Sequence, residues 1–155
     1  MGNFEILEHP ADVRVKVKGE DLGEILKQAV LGMMAITKGE VKSKKCWQSQ
    51  NFLRRRRTKL KVKRERIIRA EGTDRESLLV NFLTEVWYEA EKNKESYSQV
   101  AIEKVEEKEG QLQVGAKLSG QLVEKFALEI KAVTYWDLKV EEKEGGLEAI
   151  ITFDI

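Results

Sequence analysis

Two stretches with helical apolar spacing, set among segments of strict alternation, limit this chain to folds in which amphipathic helices cover sheets with one buried face. From Asp21 onward, Leu22, Ile25, Leu26, Ala29, Val30, Met33 and Met34 recur at that spacing. Asp21 reads as the N-cap, Glu24 as its N3 partner, and Gly39 as the stop signal. A second helix is expected from Thr73, with Glu76 closing another capping box, through Leu79, Phe82, Leu83, Val86, Trp87 and Ala90. Alternation marks strands at Val13, Val15 and Val17 and again at Leu112, Val114, Ala116 and Leu118. Leu128 to Val140 reads as one long strand, Gly145-Gly146 as a hairpin turn, and Leu147 to Ile155 as a last strand. In that last strand Leu147, Ala149, Ile151, Phe153 and Ile155 share one face, and Ile150, Thr152 and Asp154 the other. Hairpin-length connections late in the chain favour an α+β class with mainly antiparallel sheets and two helices, in the approximate order β(2)-α-β-α-β(4). Residues 1–155 are expected to form a single domain.

Charge and cysteine content remove several functions. Lys and Arg total 28 against 27 Asp and Glu, so the net charge of +1 provides no global field toward nucleic acid or membrane. A single Cys46 and a single His9 exclude an internal disulfide and the usual four-ligand zinc site. No run approaches about 18 apolar residues, so no membrane association and a cytoplasmic location are expected. Attraction to RNA must be local. The run Arg54-Arg55-Arg56-Arg57 continues through Lys59, Lys61, Lys63, Arg64, Arg66 and Arg69, with Leu60 and Val62 alternating. As a cationic stripe beside Trp47 and Phe52 it could contact RNA such as tRNA, or an acidic protein surface. As an edge strand it is equally a device against aggregation, balanced by the acidic runs near Glu103 to Glu109 and Glu141 to Glu144. The segment from Gly39 to Thr58 shows neither period and reads as a loop.

Asp12, after the helix-incompatible Pro10, and Asp154, one residue before Ile155, are the candidate site. Each alone is ordinary turn or strand-end chemistry. If their strands are neighbours, two carboxylates and the Ile155 main-chain oxygens converge, and like charges that close call for a cation or for raised pKa values. Oxygen donors select Mg²⁺ or Ca²⁺ over zinc. His9 fits either packing or a site role. With no nucleophile elbow and no glycine-rich phosphate loop, an enzyme in its own right is not expected.

Four segments together resemble the archease family. His9-Pro10-Ala11-Asp12-Val13 is similar to its N-terminal signature, and Glu76 to Glu85 to its second-helix motif. Lys131-Ala132-Val133-Thr134-Tyr135 is similar to its Lys-Ala-Val-Thr-Tyr strand, and Phe153-Asp154-Ile155 to its carboxyl terminus. The resemblance implies a non-catalytic activator of the RtcB-type tRNA-splicing ligase, promoting guanylylation and multiple turnover with a divalent metal ion, Ca²⁺, Mg²⁺ or Mn²⁺, bound by acidic residues. Asp12, Asp154 and Ile155 would then be metal ligands and Lys131 a contact in the same region; His9 and Arg54 to Arg57 remain candidate ligase or RNA contacts on their own chemistry, the segment from Arg54 to Arg69 being more cationic than the family pattern. Three positions depart from the pattern: Pro10 replaces Thr, Arg14 stands where Gly is common, and Trp136 stands where His is frequent.

Overall fold

The structure is a computed structural model that describes residues 4–8, 12–39 and 63–155. His9, Arg54 to Arg57 and the loop expected from Gly39 to Thr58, except Gly39 itself, lie outside these residues. A first sheet contains β1 (Phe4–Glu8), β2 (Asp12–Gly19), β6 (Ala132–Thr134), β7 (Val140–Lys143) and β8 (Gly146–Asp154). Its order is β1-β2-β8-β6, with β7 also pairing β8, and every pairing is antiparallel. A second, three-stranded sheet has the order β3-β5-β4, from β3 (Lys63–Gly72), β4 (Glu95–Lys108) and β5 (Gln111–Leu122). Helices α1 (Leu22–Thr37) and α2 (Arg75–Asn93) complete the α+β fold.

Each helix buries the stripe its sequence announces. In α1, Ile25, Leu26, Ala29, Val30 and Met33 are fully buried, facing β2 and β4. Burial of that row is the main stabilising term, since each such side chain contributes roughly 1.5–3 kcal/mol. Asp21 caps α1 by accepting from the Glu24 N–H at 2.8 Å, while the Glu24 carboxylate accepts from the Gln28 amide. The helix ends at cap Lys38, followed by Gly39 at φ +79°.

The second helix starts one residue later than its spacing predicts. Asp74 is the N-cap, accepting from Ser77 N–H at 2.7 Å, and the Ser77 hydroxyl accepts from Asp74 N–H at 3.1 Å. Glu76 reaches across instead to accept from the Val140 N–H at 3.1 Å, so its carboxylate ties β7 to the helix. Hydrogen bonds from Ser77 hold the Asp74 carboxyl below the ordinary range. Asp74→Ala is expected to cost about 1 kcal/mol at neutral pH. That difference should fade as acid protonates the wild-type cap, which urea unfolding at pH 7 and pH 3 would check.

The expectation of one strand from Leu128 to Val140 is corrected. Residues 123–131 are irregular, and β6 and β7 are separated by a turn in which Leu138 N–H bonds to Tyr135 O at 3.0 Å and Asp137 adopts φ +53°. Five strands, not four, therefore follow α2. Tertiary anchors override the alternation here. The Trp87 indole N–H donates to Ile130 O at 2.8 Å, Phe126 meets the Trp87 ring edge-on at 5.0 Å, and Ala127 N–H bonds to Thr37 O at 2.9 Å.

The second sheet holds a buried ion pair. Glu95, fully buried at the start of β4, accepts from Arg66 Nε at 2.8 Å and Nη2 at 3.1 Å, and from the Tyr97 hydroxyl at 2.9 Å. Burial pushes the Glu95 carboxyl up, but the hydrogen bonds from Arg66 and Tyr97 outweigh it and leave it lowered. Burial and the same carboxylate push the Tyr97 phenol up.

Candidate metal centre

Strand pairing decides whether the two aspartates meet. Val13, Val15 and Val17 are buried, which turns Asp12, Arg14, Lys16 and Lys18 to the other face of β2. Opposite them on β8, Ala149, Ile151 and Phe153 point into the core, leaving Ile150, Thr152 and Asp154 on that same outer face. The register then puts Asp12 directly across from Asp154. Directly opposed residues have Cβ atoms roughly 5 Å apart, so the two carboxylates share one corner of the sheet. Two polar residues at the ends of alternating strands were legible; the register that joins them was not.

Asp154 is flanked on its other side by β6. Ala132 is its register partner there, and Lys131 N–H donates to Asp154 O at 2.7 Å. This brings Lys131 to the carboxylate corner, with its side chain exposed. Ile155, half-buried and leaning on the core, follows Asp154 directly and so adjoins the same corner.

The donor set suits a hard cation. The corner offers carboxylate oxygens in direct register, a donor type that suits a hard cation. Among the described residues no group of three or more His, Cys, Asp or Glu that could hold a metal ion is found. Two carboxylates and main-chain oxygens match the habit of Mg²⁺, which keeps several of its waters.

Two residues noted separately as departures prove to be partners. The Arg14 guanidinium lies over the Trp136 ring, 4.5 Å from its centroid. Trp136 and its neighbour Tyr135 are nevertheless 59% and 55% exposed. Among the described residues the buried Arg14 Nε has no hydrogen-bond partner. Next along the face, the Thr134 hydroxyl donates to Thr152 O at 3.2 Å, and Lys16 pairs with Glu148 at 3.6 Å.

The cationic stripe is divided by strand parity. Along β3, Arg64 and Arg66 turn to Glu95, at 3.9 and 2.8 Å, while Lys63 and Arg69 share the opposite face with Glu65 and Glu71. Lys63 and Lys117 both pair with Glu65, at 3.8 and 3.3 Å. Within the described residues this strand carries mixed charge, not a continuous basic face. The sequence reading missed Glu95 as a buried ion; its only signal was an acidic residue directly after a helix end and before Tyr97.

Comparison with known proteins places this geometry. The model of the Archease protein family matches residues 4–155. The chain is 30% identical over 156 residues to the protein archease of Methanosarcina mazei, covering 98% of this chain and 95% of that one. It is 29% identical over 153 residues to the protein archease of Pyrococcus furiosus, covering 94% and 93%. Among solved structures, the fold is similar to that of protein 1598 of Methanobacterium thermoautotrophicum, with TM-score 0.74, 23% identity and full coverage of both chains. It is also similar to a Thermotoga maritima protein described as an archease and possible chaperone, with TM-score 0.57, 18% identity and coverage of 97% and 96%. No helix among the described residues is long and apolar enough to cross a membrane.

Proposed function

The chain belongs to the archease family, and from that premise we propose that it activates an RtcB-type RNA-splicing ligase, promoting its guanylylation and turnover through a divalent ion held by Asp12, Asp154 and Ile155. The observation that carries this reading is the direct register of Asp12 with Asp154. A divalent ion bound there supplies positive charge to a nucleotide phosphate. The protein's own part is positional. β8, central in its sheet, fixes Asp154 from both sides, and β2 fixes Asp12 against it. Lys131, tied through its main chain to Asp154 and exposed, brings a cationic residue to the same corner, suited to a phosphate or an acidic side chain of the ligase. No nucleophile or general base is needed in the activator, since the ligase performs the chemistry.

Single-turnover guanylylation with the cognate ligase tests this. Wild type is expected to accelerate the step, and Asp12→Ala and Asp154→Ala each to abolish at least nine-tenths of that acceleration, roughly the loss of one interaction of 1.4 kcal/mol or more. Full acceleration by Asp12→Ala rejects the metal reading; no acceleration by wild type rejects the ligase reading. A second reading, a chaperone-like binder of other proteins, rests on the adjacent exposed rings of Tyr135 and Trp136. It predicts suppression of aggregation in unrelated clients that Trp136→Ala weakens.

A further inference from the structure

Among the described residues, Arg14 is the arginine that β2 places next to the carboxylate corner. It lies two residues from Asp12 on the same face of β2, a separation of about 7 Å along the strand. Its cross-strand partner is Thr152, two residues from Asp154, so both carboxylates are within the range of a long side chain. Yet the guanidinium lies over the Trp136 ring, 4.5 Å from its centroid, and among the described residues its buried Nε has no hydrogen-bond partner. Donor capacity is thus left unspent by a charge held close to two anions. The contact with the indole compensates part of the desolvation, as a stacked guanidinium does.

We propose that Arg14, held on the Trp136 ring, is a built-in counter-charge that sets how tightly the Asp12–Asp154 corner holds a divalent cation. This rests on the cation reading above and adds to it a residue with a distinct task. With Arg14 held aside, its positive charge repels an incoming ion without occupying the ion's place. Affinity is weakened, and an ion bound there can be handed on. Trp136 acts through Arg14 as a positioning residue: removing the ring frees the guanidinium to reach the carboxylates and compete directly. Lys131, also cationic and near, hangs on an exposed flexible stem and contributes a screened background that both states share.

Calorimetric titration of Mg²⁺, Ca²⁺ and Mn²⁺ separately into the whole protein tests the assignment. A unit positive charge about 7 Å from a divalent ion in a largely aqueous setting changes affinity by about tenfold. Arg14→Gln is therefore expected to bind each ion about tenfold more tightly than wild type, and Arg14→Lys to stay within about threefold of it, because charge and not shape is the agent. Trp136→Ala is expected to weaken binding in the Arg14 protein and to have no effect in the Arg14→Gln background. Equal affinities for wild type and Arg14→Gln overturn the proposal while leaving the metal reading intact. A Trp136→Ala effect that persists without Arg14 overturns the positioning role. Absence of binding in every variant, Arg14→Gln included, overturns the cation reading and this proposal with it, whereas binding by Arg14→Gln alone supports both.

Discussion

Arg66→Met should destabilise the protein by about 3 kcal/mol at pH 7, because it strands a fully buried carboxylate. The value lies at the low end for a broken buried pair, since Arg66 is itself partly exposed and the Tyr97 hydroxyl still donates to Glu95. The pH dependence carries the diagnosis. In wild type the Glu95 carboxyl is held low, so its contribution is complete above the unfolded carboxyl range near pH 4.3 and disappears as pH falls through the folded value. In Arg66→Met burial is opposed only by Tyr97 and Arg64, and the carboxyl is expected to move up from its wild-type position. The deficit should then be largest at pH 7 and shrink on acidification toward pH 4.5. Urea unfolding at both pH values reads this directly. The double substitution Arg66→Met with Glu95→Gln should recover most of the loss, since the neutral amide still accepts from Tyr97 without a buried charge. A deficit that does not change with pH would show that Arg66 matters only through its packing.

Gly120→Ala should be comparably costly, about 3 kcal/mol, for a steric reason. Gly120 faces Tyr97 on β4, beside the bulge between Tyr97 and Gln99. A Cβ there would lie 1.9 Å from Ser96 O and 2.7 Å from Tyr97 Cα. Both are backbone atoms, so relief requires strands to part and the bonds around Glu95 to deform with them. Gly115, on the same strand, is the internal control: its added Cβ would come 3.0 Å from Glu103 Oε2, the far end of a flexible side chain. Gly115→Ala should cost less than about 1 kcal/mol. Thermal unfolding of the two variants side by side separates them, and equal losses would mean that glycine matters on β5 through chain entropy and not through the close approach.

These two residues also mark where the sequence stopped being readable. Alternation and helical spacing gave β2, β5, β8 and both helices, because one buried face imposes a period on each. Gly120 sits within an alternating run where nothing local distinguishes a required absence of side chain from a tolerated one. The same limit explains the segment from Leu128 to Val140: its alternation is real, but hydrogen bonds to Trp87 and Thr37 set its path. The capping position of α2 slipped by one residue because Thr73 and Asp74 are both competent caps, and the choice was made by Ser77 reaching back to Asp74. At the candidate site, the residue types Asp12 and Asp154 were legible and the register between them was only a condition. Arg14 and Trp136 were visible as two oddities and became one contact only when β2 and the turn after β6 were placed together. The four arginines at 54–57 and His9 lie outside the described residues.

The placement of β8 between β2 and β6 has a consequence for how the molecule comes into being. The unit from α2 through β4 and β5 joins neighbours in sequence and can form early. Pairing β2 with β8, by contrast, closes a loop containing most of the chain, a costly and late event in folding. The carboxylate corner spans that last seam. Asp12 and Asp154 come into register only where β2 and β8 pair, so the corner exists only once that long-range seam has closed.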